Sequence, residues 1–117
     1  MAVKQSGELV LFRFPQTDLL PGKLRPALLL APLPSGRDDW LVCMISSQIA
    51  QAIASVDEII KTNDADFAQS GLKIASVIRL TRLAVVSDSI FTGLIGQISA
   101  ARLGVLRKRL AQWIESS

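Results

Sequence analysis

Two polar clusters interrupt an otherwise apolar chain. The first is Lys23-Leu24-Arg25-Pro26, preceded closely by Thr17 and Asp18; the second is Ser46-Ser47-Gln48, a set of hydroxyls and an amide after the apolar run Leu41-Val42-Cys43-Met44-Ile45. Arginine is suited to anion chemistry because its planar fork makes bidentate bonds to phosphate or carboxylate and never loses its charge. Arg25 stands where a loop feeds an apolar segment. By position alone, two roles stay open for it: a group that holds an anionic ligand, or an ion-pair partner of Asp18 or Glu8.

What the chain lacks narrows the chemistry further. There is no histidine among the 117 residues, which removes the usual general base, the Ser-His and Cys-His pairs, and nearly every transition-metal site. Catalysis would have to use carboxylates, hydroxyls, lysines or arginines. Cys43 is the single cysteine and sits in an apolar run; it reads as a small buried hydrophobe and excludes an internal disulfide, consistent with a reducing compartment. The net charge of +3 permits an anionic ligand without requiring one. No apolar stretch approaches the roughly 20 residues that span a bilayer, and Met1 to Gly7 lacks the apolar centre of a secretory signal, so a cytoplasmic protein is expected.

The elements that must position these residues follow from the pattern. A chain of this length reads as one domain over residues 1–117. Glu8 to Phe14 is a strand, Pro15 to Lys23 a turn-rich loop, and Pro26 to Ala31 a strand apolar on both faces, hence central. Ser35 to Asp39 forms a hairpin tip, and Trp40 to Ile45 returns antiparallel. Ile49 to Ala54 reads as short helix or loop, Val56 to Ile60 as a strand, Asn63 to Phe67 as one helical turn, and Ser70-Gly71 as a turn. Ile74 to Leu80 is a strand that resumes at Leu83 to Val86 after a bend near Thr81-Arg82, and Phe91 to Ile98 carries one short edge strand. Ser99 caps a helix from Ala100 to about Ile114, whose stripe of Leu103, Leu106, Leu110 and Trp113/Ile114 should dock on the sheet. Arg102, Arg107, Lys108 and Arg109 lie mostly off that stripe and read as a solvated face. The sum is a mainly β domain with minor α: a small barrel of strongly bent antiparallel sheet with a C-terminal helix. If the first three strands form a meander, Arg25 and Ser46 become neighbours across the ladder.

At these residues the chain resembles a family. Gly7-Glu8-Leu9-Val10-Leu11-Phe12, Phe14-Pro15-Gln16-Thr17-Asp18, Lys23-Leu24-Arg25-Pro26-Ala27-Leu28, Cys43-Met44-Ile45-Ser46-Ser47-Gln48, Ser70-Gly71-Leu72 and Ser76-Val77-Ile78-Arg79 are similar, in order and spacing, to the signature of PemK/MazF-type toxins. The resemblance implies an SH3-like barrel, the toxin half of a type II toxin–antitoxin pair, and a homodimeric endoribonuclease that cuts single-stranded RNA at short sequences without metal or other cofactor. It also implies a cognate antitoxin with an acidic, disordered segment. The family's catalytic arginine before proline falls on Arg25, and its catalytic hydroxyl, most often threonine, falls on Ser46. The family's glycine-aspartate pair stands here as Gly7-Glu8.

Under this resemblance the ribose 2′-OH attacks its own 3′ phosphate, leaving cyclic-phosphate and 5′-hydroxyl ends. Arg25 would neutralise charge on the phosphate and Ser46 would donate to it, with Asp18 or Glu8 conceivable as proton acceptor. Thr17, Asp18, Lys23, Ser47, Gln48, Arg79 and Arg82 are the expected substrate-binding residues. Two alternatives remain: a toxin of the same fold that inhibits DNA gyrase by protein contact, using Trp113 and Ile114, and a catalytically silent binding module.

Overall fold

Proline and glycine punctuation divides the apolar segments into strands, and the strands curl into one sheet. A computed structural model of the chain describes residues 4–13, 23–35 and 38–117. The strands are β1 (Glu8–Arg13), β2 (Leu24–Pro32), β3 (Asp39–Ser46), β4 (Glu58–Ile60), β5 (Ser76–Ser87) and β6 (Gly93–Gln97); the helices are α1 (Phe67–Ser70) and α2 (Ala100–Ser116). All pairings are antiparallel, in the order β4-β5-β3-β2-β1-β6. The expected meander of the first three strands, the strongly bent sheet and the C-terminal helix are all present. The sheet is a curled half-barrel whose two ends are β4 and β6.

Alternation gives the sheet two apolar faces. Leu9, Leu28, Leu30, Cys43, Ile45, Ile78 and Leu80 share one with Leu106 of α2 and partly buried Leu103, Leu110 and Trp113. The other carries Val10, Phe12, Ala27, Leu29, Trp40 and Val42, closed by Ala84, Val86 and Phe91. On β5, Ile78 and Leu80 face the first and Ala84 and Val86 the second, a change of face at constant parity that a bend in the strand produces. Its ladder with β3 jumps from Met44↔Arg79 to Cys43↔Leu83, so Leu80, Thr81 and Arg82 fall in the irregularity. The bend expected at Thr81-Arg82 is there, although the strand runs through it unbroken.

The edge strand β6 is protected by α1, and two glycines permit the approach. Gly71 ends α1 in the left-handed region (φ 78°), and a Cβ there would lie 2.0 Å from the Ile95 carbonyl oxygen. A Cβ on Gly96 would meet the Gln69 carbonyl oxygen at 2.3 Å. Only glycine tolerates backbone against backbone at such range.

The reading of the α2 cations as a solvated face holds for Lys108, which is exposed, and is corrected for the three arginines. Arg102 Nε and Nη2 donate to Asp66 at 2.9 and 3.0 Å, Nη1 donates to Glu58 at 3.1 Å, and Nη2 also reaches Asp64 at 2.9 Å. Arg107 donates to the Leu30 carbonyl at 2.9 Å, which the bulge between Leu29 and Ala31 leaves outside the β2–β3 ladder. Arg109 donates to the Asp57 carbonyl at 2.9 Å. These three arginines bind α2 to strands and loops that the helical periodicity cannot reveal. Ile114, expected on the docking stripe, is 62% exposed. Ser99 caps α2 as expected, its hydroxyl accepting from Arg102 N at 3.1 Å.

The Arg102 hydrogen bonds, assisted by the backbone N–H of Ser99, hold the Asp66 carboxyl down at about 2, below its ordinary 3.8. Its folded value lies under its unfolded one, so the contribution is present above about pH 4 and is lost as pH falls through about 2. Thermal unfolding should therefore show stability falling across that window, with Asp66→Asn flattening the fall. Arg102→Ala, which strands three carboxylates, should cost about 3 kcal/mol by chemical denaturation.

Candidate active site

Pro26 sets the geometry of the residue before it. An X-Pro bond disfavours helix at X and holds it extended, so Arg25 enters β2 as a strand residue opposite Phe12 of β1. The β2–β3 ladder begins at Ala27↔Met44. Two residues further along each strand, the same register sets Arg25 beside Ser46. Directly opposite residues project to the same face, so Arg25, Ser46 and the Ser46 partner Val77 of β5 form one row across three strands.

Arg25 and Ser46 line one cleft of about 210 Å³, with Ser47 on their side and Lys73, Ile74 and Ser76 on the other. The opposite wall is built by the turn after α1. Ser70 Oγ donates to the Phe67 carbonyl at 2.6 Å and accepts from Leu72 N at 3.2 Å. Gly71 then reverses the chain, and Ser76 Oγ donates to the Ile74 carbonyl at 3.0 Å. This presents Lys73 and Ile74 outward, Ile74 being 58% exposed. The Ser70-Gly71 turn is legible in the sequence, whereas the role of the lysine that follows it is not. The missing information was tertiary: the turn has to cross the ends of β2 and β3 before Lys73 can join Arg25.

Ser46 Oγ accepts from Gln48 N at 3.0 Å. A hydroxyl that accepts one bond still has its proton to donate, so Ser46 can act as a donor into the cleft. Among the described residues Arg25 makes no ion pair, and Glu8 does not answer its charge. Glu8 is four residues along β1 from Phe12, about 13 Å at ~3.3 Å per residue, and its carboxylate accepts from Gln5 N. That distance also argues against Glu8 as proton acceptor. Thr17 and Asp18 lie outside the described residues.

The remaining expected binding residues divide. Lys23 is exposed just before β2, and Ser47 and Gln48 are exposed after β3. Arg79 is paired with Met44, two residues along the ladder from the Ser46–Val77 pair and so on the same face. Arg82 is exposed at the β5 bend and lines no wall of this cleft. A larger cleft of about 410 Å³ surrounds Arg102, Asp64, Asp66 and Glu58. Its charges are spent on one another, which makes it a structural joint.

Fold and cleft define a class: a small curled β half-barrel with a helix on one face and an arginine–serine row at the mouth of a cationic cleft. The model of the PemK-like, MazF-like toxins of type II toxin–antitoxin systems matches residues 5–114, and the chain belongs to this family, whose members are generally endoribonucleases. Among solved structures it is similar to the Mycobacterium tuberculosis toxin MazF-mt6, at 15% identity with a TM-score of 0.68, covering 92% of this chain and 96% of that one. It is also similar to an endoribonuclease in complex with its cognate antitoxin from a mycobacterial species, at 10% identity and a TM-score of 0.68, covering 97% and 96%. None of the curated proteins is a significant match. Among the described residues no helix is long and apolar enough to cross a membrane.

Cys43 takes no part in this cleft. It is wholly buried, and burial first, then the nearby Asp57 charge, pushes its thiol well above the ordinary range. Iodoacetamide should leave Cys43 unmodified in the native protein over a period that alkylates it completely in urea, as mass spectrometry would read.

Proposed function

We propose that this toxin is an endoribonuclease that cuts single-stranded RNA by in-line attack of a ribose 2′-OH on its own 3′ phosphate, with Arg25 and Ser46 as catalytic residues. The observation that carries this reading is the cross-strand row that brings Arg25 and Ser46 to one cleft facing Lys73. The 2′ oxygen bonds to phosphorus and gives its proton to an acceptor, while the bond to the 5′ oxygen breaks and that oxygen takes up a proton to leave as a hydroxyl. No added nucleophile enters, so the reaction needs neither a metal-activated water nor a histidine.

Charge decides the roles. As attack proceeds, negative charge grows on the non-bridging phosphate oxygens, and a fixed guanidinium beside them stabilises the transition state more than the ground state. Arg25 fits that task, and the Ser46 hydroxyl donates to a second oxygen. Lys73, which lines the cleft, and Lys23, exposed two residues before Arg25, would hold neighbouring phosphates, with Ser47 and Gln48 reaching base edges of the splayed strand. Ile74 offers an apolar surface to a base, the described residues that line the cleft including no aromatic group. Family membership and the antitoxin complex of a structural neighbour support a cognate antitoxin whose acidic segment covers the same cations. The protein would act in the cytoplasm as a homodimer, as the family resemblance implies.

Purified protein with excess EDTA should cleave a single-stranded RNA of mixed sequence. Arg25→Ala should lower the rate by about 10²–10³-fold, or about 2.7–4 kcal/mol, with an unchanged circular dichroism spectrum. Ser46→Ala should be strongly impaired and Ser46→Thr active. Cleavage by Arg25→Ala at the wild-type rate would remove Arg25 from the mechanism. Lys73→Ala should weaken RNA binding and reduce the slope of log K against log salt by about 0.7, the value for one single-strand phosphate contact.

A further inference from the structure

Asp57 is a carboxylate the sequence reading passed over, and its side chain has no exposed surface. It lies just before β4, whose first pair with β5 is Glu58↔Ile78. One step back along that register, Asp57 faces Arg79. Arg79 in turn pairs with Met44, and Met44 with Ala27. The row Asp57, Arg79, Met44, Ala27 thus runs beside the row Val77, Ser46, Arg25, on the same face of the sheet.

The hydrogen bonds of Asp57 join β5 to the segment that follows Ser46. Its Oδ2 accepts from Ile53 N at 2.9 Å, and its two oxygens accept from Thr81 Oγ1, with Oδ1 also taking Thr81 N, all at 3.2 Å. Oδ2 lies 4.0 Å from Arg79 Nε, a buried nitrogen with no hydrogen-bond acceptor among the described residues. Arg79 Nη1 donates to Gln51 Oε1 at 3.1 Å. One carboxylate therefore holds the C-terminal side of the short 3₁₀ turn Ile49–Gln51 in two ways: directly through Ile53, and through Arg79 to Gln51. That turn leads straight back to Gln48, whose N–H holds the Ser46 hydroxyl.

We infer that Asp57 is a positioning residue for RNA cleavage, holding Arg79 and the segment 49–53 so that Ser46 and the guanidinium of Arg79 keep their place beside Arg25. This rests on the cleavage reading above. A carboxylate is required because every contact of its oxygens is with a donor. An asparagine would turn its NH₂ against the N–H of either Ile53 or Thr81.

The test is a double-mutant cycle of Asp57→Asn and Arg79→Ala, read by steady-state cleavage of single-stranded RNA. Asp57→Asn should lower kcat about tenfold or more with KM changed less than about threefold, and should cause a clearly smaller loss in the Arg79→Ala background, where only the Ile53 route is left to lose. An equal loss in both backgrounds, or no loss at all, would overturn the positioning role. If Asp57→Asn does not fold, Thr81→Val removes the hydroxyl that both Asp57 oxygens accept from and decides the matter: its smaller loss should also shrink in the Arg79→Ala background, and additivity would overturn the role. Amide exchange reads the same strut without RNA. Protection at Ile53 should fall in Asp57→Asn while β2 and β3 amides keep theirs, and unchanged exchange at Ile53 would overturn the inference. A wild-type protein that leaves RNA intact while Ile53 responds would overturn the cleavage reading instead.

Discussion

The site depends first on the pairing of β2 with β3. Both strands carry apolar residues destined for two different faces, Leu28 and Cys43 on one, Leu29 and Val42 on the other. Slipping the register by one residue would exchange the faces of an entire strand, so the buried side chains hold the alignment. Arg25 and Ser46 take their relationship from that alignment, being two steps past its last pair. A polar constellation at the edge of a sheet is in this way positioned by hydrophobic burial, and Pro26 adds the local extension that keeps Arg25 in line.

Polar joints then supply what the core cannot. Arg102 gathers Glu58, Asp64 and Asp66 beneath the start of α2, while Arg107 and Arg109 take the carbonyls of Leu30 and Asp57. Asp57 binds the segment after Ser46 to β5. Each joint satisfies groups that burial would otherwise penalise, since an unpaired buried donor or acceptor costs about 1–3 kcal/mol. They also divide the labour: the Arg102 joint secures the helix to the β4 edge, and the Asp57 joint is aimed at the cleft.

Much of this was readable before any coordinates. The strands, the bend at Thr81-Arg82, the Ser99 cap and the neighbourhood of Arg25 and Ser46 follow from period-2 patterning, turn residues and antiparallel geometry. The misreadings share one cause. Arg102, Arg107 and Arg109 look like a solvated helical face because periodicity describes a helix alone, whereas their acceptors come from residues far away in the chain. Asp57 and Lys73 gave no signal for the same reason: a lone acid before a short strand and a lysine after a turn acquire meaning only when the sheet curls. Glu8 is the converse case, near the right strand in sequence but at its far end in space.

The central claim is that Arg25 and Ser46 hold a phosphate while the RNA's own 2′-OH attacks it. The most direct measurement uses a cleaved oligoribonucleotide with a single 2′-deoxy substitution on the nucleotide 5′ to the mapped cut, alongside end analysis of the all-ribose product. The account predicts that the substituted RNA resists cleavage at that bond and that the natural substrate yields 2′,3′-cyclic phosphate and 5′-hydroxyl ends. Cleavage of the deoxy-substituted bond, or fragments bearing 5′-phosphate, would contradict it.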